Sequence, residues 1–335
     1  MDERTPRNNR QTGGFPPRES GKIQQSSTFN LRSSANVVTI VILSQGNCGL
    51  SKCVSVYMLA MATADLLVIF FNVIVCRIFN DNFPYSFLSY TVCCKFIYFI
   101  NFASLYMSVW FTVSFSFDRF VAICFQGFKA KYCTKRNATV ITVAASVLAY
   151  SKGVPMFFSY EPERIINNVQ WGCRPKVDVF TLPTWAAYNW LQALSIPLLP
   201  FSFMVLFNSL TVRRILVSNR ARRELRGHSS KNQSDPEMEN RRKSIILLFT
   251  ISGSFVLLWL TAVVCFATTR LSKTFDYQGD YSNPGYIATE SGYLLMYLNS
   301  CTNTCIYAAT QRKFREELIA LLKSPWSLIL RLVKK

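Results

Sequence analysis

Histidine is almost absent from this chain of 335 residues: His228 is the only one, and it lies in a polar stretch. A histidine-based triad inside the apolar part of the chain is thereby excluded. No HExxH, Walker-type or GxGxxG motif occurs. Cys301 and Cys305 sit one helical turn apart without partners of zinc-site type. The chain therefore reads as a protein that is not an enzyme. Acids are scarce too, with 18 Asp and Glu against 37 Lys and Arg and a formal charge of +19. Charge of either sign makes up only 16% of the chain, while hydrophobic residues make up 50%.

What fills the space left by charge is long apolar runs. A hydrocarbon core about 30 Å thick needs about 20 apolar residues of helix. Runs of that kind cover roughly 54–79, 92–124, 137–158, 185–215, 243–267 and 285–309. A shorter stub at Asn36–Leu43, "NVVTIVIL", is a candidate for part of a seventh. Lipid offers backbone groups no water, so each span is expected to be a helix. A barrel would show strands of about ten residues with alternating polarity, and these runs are longer and do not alternate. The fold class expected is an all-α membrane protein.

The basic residues cluster beside spans. Lys129, Lys131, Lys135 and Arg136 follow the 92–124 run; ten more, from Arg213 to Lys243, precede the 243–267 run; the tail carries another group. The stretches 159–184 and 270–284 are nearly balanced. Basic loops stay cytosolic, which places the C-terminus inside and the balanced loops outside. The same pattern argues against nucleic acid, whose partners carry arginines on soluble faces.

Residues 1–34, rich in Pro, Gly, Ser and Arg, are expected to be disordered and lack the apolar core of a signal peptide. Between Ala35 and Ser44 only about half a span is available, because extending the helix backwards would bury Arg32. "AATQRKFREELIALL", after Tyr307, reads as an amphipathic helix with Phe314, Leu318, Leu321 and Leu322 on one face. The organisation expected is a disordered 1–34, a membrane domain over 35–322 and a short tail at 323–335.

Three groups of residues break the apolar pattern. Asp118 and Arg119 end a run that has carried no charge since Lys95; on their own they are compatible with a charge pair marking a helix end. Asp65 lies within "LAMATADLLVIFF", and a carboxylate inside a membrane is costly enough to mark a functional site. Ser108, Asn299, Asn303 and Asn36 are its candidate neighbours. Together they suit a hard cation such as sodium, a bound water, or polar glue between helices; these readings are compatible. Cys94, at the outer end of one span, and Cys173, in a balanced loop, would pin that loop over the bundle if bridged, with Cys93 as competitor.

The order and spacing of "NVVT" at 36–39, "LAMATAD" at 59–65, Cys94 with Cys173, "DRF" at 118–120, Pro200, "FVLLW" at 255–259 and "NTCIY" at 303–307 resemble the rhodopsin (class A) family of G-protein-coupled receptors over residues 35–322. Within it, the chain is most similar to an orphan subgroup. The resemblance implies a seven-transmembrane helix bundle, here with a truncated or atypical first helix and a short amphipathic eighth. It implies a multi-pass receptor in the plasma membrane that reports a small-molecule or peptide ligand to a heterotrimeric G-protein. Asp118 would restrain Arg119 at rest, with Asn208 and Tyr307 completing the G-protein switch. Phe255 and Trp259 would take part in activation, and no cofactor is implied beyond an allosteric sodium ion at Asp65. Tyr98, Asn101, Phe102, Leu105, Phe266 and Tyr293 would line an apolar ligand pocket with few polar handles. A signalling-incompetent form, retained in the endoplasmic reticulum or paired with an intact receptor, is the alternative.

The chain departs from the family pattern at several points. Phe120 replaces a tyrosine. Thr261 and Thr304 stand where prolines kink the sixth and seventh helices, so both are expected to kink less. Asn208 replaces another tyrosine. Arg241 replaces an acid that pairs with the switch arginine, so no ion pair from Arg119 to that helix is expected. Asn101 stands where amine receptors carry an aspartate.

Overall fold

The computed structural model describes residues 35–46, 48–79, 83, 85–225, 236–272 and 283–323. The expected disordered segment and the tail after Lys323 lie outside the described residues, as do the side chains of Arg241, Phe266 and Leu322. Eight principal helices are present among the described residues. They are α1 (Ala35–Ser44), α2 (Lys52–Val68), α3 (Thr91–Cys124), α4 (Lys135–Phe158), α5 (Pro183–Ala193 and Leu199–Leu225, joined by a π stretch), α6 (Pro236–Ser272), α7 (Pro284–Thr310) and α8 (Arg312–Lys323).

Five of them, α2 to α6, are long and apolar enough to cross a bilayer by length and composition. The described α1 covers 15 Å at 1.5 Å per residue, about half the hydrocarbon thickness. It is tied by polar contacts instead: Asn36 Nδ2 donates to the Ser300 carbonyl at 2.9 Å, and the Thr39 and Thr304 hydroxyls meet at 2.8 Å. α7 has the length, at 27 residues, but buries Asn299, Ser300, Asn303 and Thr304 among its neighbours, which lowers its apolarity.

Local chemistry sets the helix starts. Ser51 caps α2 by accepting from the Val54 N–H, Thr134 caps α4 from Asn137 N–H, and Asn283 caps α7 from Gly285 N–H with Pro284 in its first turn. Each satisfies an N–H that the first turn leaves unpaired. α2 continues as a π-helix over Ile69–Phe79, and α5 contains one at Leu194–Leu198 around Pro197. There the indole of Trp110 donates to the Ser195 carbonyl at 2.9 Å, satisfying backbone that the distortion exposes. α6 and α7 run without interruption through Thr261 and Thr304, as the absence of proline at those positions predicts.

α3 is the central post, packing against α2, α4, α5 and α6. Helices in lipid gain little from hydrophobic burial against one another, so close packing decides. Small residues allow it. Gly292 of α7 leaves room for the α6 backbone, since a Cβ there would lie 3.0 Å from Ala262 Cα. Gly153 likewise admits the Phe99 ring. α4 turns Val140, Val143, Val147 and Leu148 outward, the face a membrane protein offers to lipid.

The loop between α4 and α5 folds in a way that the sequence reading did not foresee. It forms two antiparallel pairs, β1 (Tyr160–Glu161) with β4 (Arg174–Pro175) and β2 (Arg164–Ile166) with β3 (Val169–Trp171). Asn167 and Asn168 both take positive φ, the requirement of a two-residue turn matched to strand twist. Cys173 is bridged to Cys94 of α3 with a Cα–Cα distance of 6.1 Å, and Cys93 stays free. Gly172, at φ +66, donates to Ser89 O at 2.7 Å, and its carbonyl accepts from Thr91 Oγ1. The hairpin is thereby held across the N-terminal end of α3.

Candidate functional site

The acid and base that end the apolar run of α3 are both buried: Asp118 is 1% exposed and Arg119 7%. They form an ion pair in which both Arg119 Nε, at 3.0 Å, and Nη2 donate to Asp118 Oδ2. The other carboxylate oxygen accepts from Cys53 Sγ at 3.0 Å, and Cys133 Sγ reaches the Asp118 carbonyl at 3.6 Å. Desolvation, then the adjacent Asp118 carboxylate, push the Cys133 thiol up to about 12, so it stays protonated at neutral pH. Arg119 Nη1 makes a weak bond to Ser244 Oγ of α6 at 3.4 Å. That neutral contact links Arg119 to α6 among the described residues; the side chain of Arg241 lies outside them. Phe120, lacking the hydroxyl, stacks on Phe207 of α5 at 5.7 Å.

Arg119 lies in the wall of a cavity of about 720 Å³ bounded by the start of α2, the end of α3, the short helix Gln126–Tyr132, α6 and Gln311. Its described lining includes Arg119, Lys129 and Lys243 and no acid. Asn208 joins α5 to α6 a little deeper, accepting from Ser252 Oγ at 2.9 Å. Tyr307 is fully buried and meets Phe314 of α8 edge to face at 5.8 Å. It therefore braces the α7–α8 corner.

A polar layer lies in the middle of the bundle. Asp65 is fully buried; Ser108 Oγ donates to its Oδ1 at 2.5 Å and Asn303 Nδ2 to its Oδ2 at 2.8 Å. Ser300, which the sequence reading passed over, also lies close to the carboxylate. Asn299 is buried one residue before it, and Asn36 gives its Nδ2 to the Ser300 carbonyl while its Oδ1 stays buried without a donor. Ser300 lies at i+1 from Asn299, and only the rotation of α7 tells which of the two faces Asp65. One carboxylate with hydroxyl and amide oxygens is a donor set for a hard cation rather than a transition metal.

Above this layer Phe255 stacks on Trp259, centroids 5.2 Å apart, and Trp259 floors a second cavity of about 360 Å³. Phe102, Leu105 and Tyr293 line it, together with Met156, Gln192, Ile196, Ala262, Thr289 and Met296. Tyr98 is instead stacked on Tyr160 of the hairpin at 4.6 Å, outside the lining. Asn101 is off the lining as well, with its Oδ1 buried and lacking a hydrogen-bond donor. α5 contributes Asn189, Gln192, Ala193, Ile196 and Pro197, none of which the sequence reading named. Asn189, Gln192 and Ala193 lie in the regular helix before the π stretch, and Ile196 and Pro197 lie within it.

A helical bundle with a buried acid–arginine pair at one end, a polar layer in the middle and a covered cavity at the other is the architecture of a seven-helix membrane receptor. The family model described as 7 transmembrane receptor (rhodopsin family) matches residues 35–307, and the chain belongs to that family. It is a multi-pass membrane protein and a receptor rather than an enzyme. Its relatives include the cephalotocin receptor 1 of Octopus vulgaris, 24% identical over 81% of this chain and 72% of the relative. The G-protein coupled estrogen receptor 1 of Micropogonias undulatus is 25% identical over 87% of this chain and 77% of its own length. The neurotensin receptor type 1 of Mus musculus is 27% identical over 68% and 58%.

Proposed function

We propose that this receptor transmits the binding of a small extracellular ligand to a heterotrimeric G-protein, from the plasma membrane and with its C-terminus in the cytosol. The observation that carries this reading is Arg119, buried against Asp118 in the wall of a cationic cavity on the side of the basic loops. Asp118 is the restraint and Arg119 the switch. Asn208 and Ser252 couple α5 to α6, Phe255 and Trp259 carry movement down α6, and Tyr307 holds the α7–α8 corner. Asp65, Ser108 and Asn303, with Ser300, would hold a sodium ion, which stabilises whichever bundle arrangement keeps them together.

Within the family, "NVVTIVILSQ", "YMLAMATADLLVIFF" and "FNSLTVRRIL" resemble the receptor named probable G-protein coupled receptor 139, while the relatives matched above belong to other receptor types. The short α1 and the lack of proline at Thr261 and Thr304 favour a second reading, a signalling-incompetent form that is retained in the endoplasmic reticulum or acts beside an intact receptor.

The test is guanine-nucleotide exchange on a panel of purified heterotrimers by the chain in nanodiscs, with and without Arg119→Ala. The receptor reading expects exchange above empty discs with at least one heterotrimer and its loss in the variant. Exchange that survives Arg119→Ala intact sinks the switch. Its absence from the whole panel, with the chain folded, transfers the case to the second reading.

A further inference from the structure

The short helix Gln126–Tyr132 between α3 and α4 has two unlike faces. By helical spacing Gln126, Lys129, Ala130 and Cys133 share one face, and all four line the inner cavity. Phe128, Lys131 and Tyr132 fall on the opposite face. Phe128 is 52% exposed, and Phe125, just before the helix, is 53% exposed. Asn137 Nδ2 donates to the Tyr132 carbonyl at 3.0 Å and to the Lys131 carbonyl at 3.3 Å. The end of the short helix is thereby tied to the first turn of α4, which carries Lys135 and Arg136. Lys131, Lys135 and Arg136 are all exposed. No Asp or Glu occurs between Arg119 and Tyr160. Among the described residues none of the three cations pairs with a carboxylate. Lys135 and Arg136 also occupy the turn where the helix dipole is already positive. The chain thus gathers positive charge here and supplies nothing to offset it.

Charge alone would suit any anionic partner, and the rest of α4 selects among them. Arg136, Val140, Val143 and Val147 recur at i, i+4, i+7 and i+11, one face of a helix. The three valines are exposed along a candidate membrane span, the face that lipid tails cover. Arg136 continues that stripe at its end, where tails give way to head groups. Exposed aromatic rings beside lysines and an arginine make up the composition of a contact with the membrane interface.

We propose that the face formed by Phe125, Phe128, Lys131, Lys135 and Arg136 docks on the head groups of anionic phospholipids. The inference rests on the reading that this end of the bundle faces the cytosol, whose leaflet carries such lipids. The short helix is then shared. One face walls the inner cavity, and the other holds the helix to the membrane.

Photolabelling of the purified receptor in phosphatidylcholine nanodiscs tests it. Each disc carries, as a minor component, one of two lipids with a diazirine beside the glycerol ester: a phosphatidylserine or a phosphatidylcholine. A basic residue near an anionic surface adds a factor of about five in binding. The serine lipid is therefore expected to label peptides covering 125–140 at least about tenfold more than the choline lipid. Lys131→Gln, Lys135→Gln and Arg136→Gln combined are expected to remove that preference while labelling of α8, another basic helix, stays as it was. The two-lipid comparison is made on the unaltered chain and stands even if the variant misfolds. Equal labelling by the two lipids overturns the proposal and leaves the face to a protein partner. A serine preference that survives the triple variant overturns it as well. Both leaflets of a nanodisc have the same composition, so the result does not depend on orientation. The cytosolic reading fails separately, through labelling of this end of the bundle by an impermeant reagent on intact cells.

Discussion

The two ends of the bundle hold cavities of opposite character. The inner one, about 720 Å³, carries Arg119, Lys129 and Lys243 with no acid in its described lining; the outer one, about 360 Å³, has no acid and no base in its described lining. Leu247 borders the first and Trp259 the second, twelve residues apart on α6 and so about 18 Å along its axis. One continuous helix thus touches both, and between them lie the Phe255–Trp259 stack and the Asp65 layer. A wide cationic recess complements an acidic protein segment, whereas a small, largely apolar chamber suits one small molecule. The difference teaches that the same packing rules give two recognition chemistries when charge is confined to one end.

The comparison can be broken or sharpened at four places, beginning with the largest effect. Replacing Cys94 and Cys173 together by serine opens the closed loop of 79 residues that holds the hairpin over the outer end. A loss of about 2–4 kcal/mol is expected, read as a lowered Tm. Gly292→Leu forces α7 away from the α6 backbone at Ala262, an outer-cavity residue. It is expected to cost about 1–3 kcal/mol through overpacking, and unfolding in detergent measures it.

The middle layer comes next. If sodium binds at Asp65, raising it to ten times its Kd in place of choline stabilises the receptor by about 1.4 kcal/mol. Asp65→Asn abolishes that sodium dependence, and thermal unfolding in the two salts distinguishes the outcomes. The smallest effect is at the inner end. Ser244→Ala removes a 3.4 Å hydrogen bond to Arg119. It is expected to shift the resting balance by at most about 1 kcal/mol, a rise in basal nucleotide exchange of up to about fivefold.

Much of this was legible in the residues. Apolar run length gave α2 to α6, and the lack of proline at Thr261 and Thr304 gave unbroken α6 and α7. Lone charges gave Asp65 and the Asp118–Arg119 pair, because lipid makes an unexplained charge conspicuous. Other features were hidden for physical reasons. Cys53 and Ser244 look like ordinary small residues, and only the packing of α2 and α6 on α3 brings them to Asp118 and Arg119. Gln192 was missed because it looks like an ordinary polar residue of an apolar run, and only the packing of α5 turns it to the cavity. Tyr98 was drawn to the hairpin, whose pairing depends on the Asn167–Asn168 turn and on a bridge distant in sequence.

The central claim is that the two unlike cavities open to opposite sides of the membrane, the cationic one to the cytosol. Single cysteines at Gln126, in the inner cavity wall, and at Ile165, on the exposed hairpin, test it most directly with a membrane-impermeant maleimide on intact and permeabilised cells. The account expects Ile165→Cys to be labelled on intact cells and Gln126→Cys only after permeabilisation. Labelling of Gln126→Cys on intact cells would put Arg119 out of reach of any G-protein and contradict it.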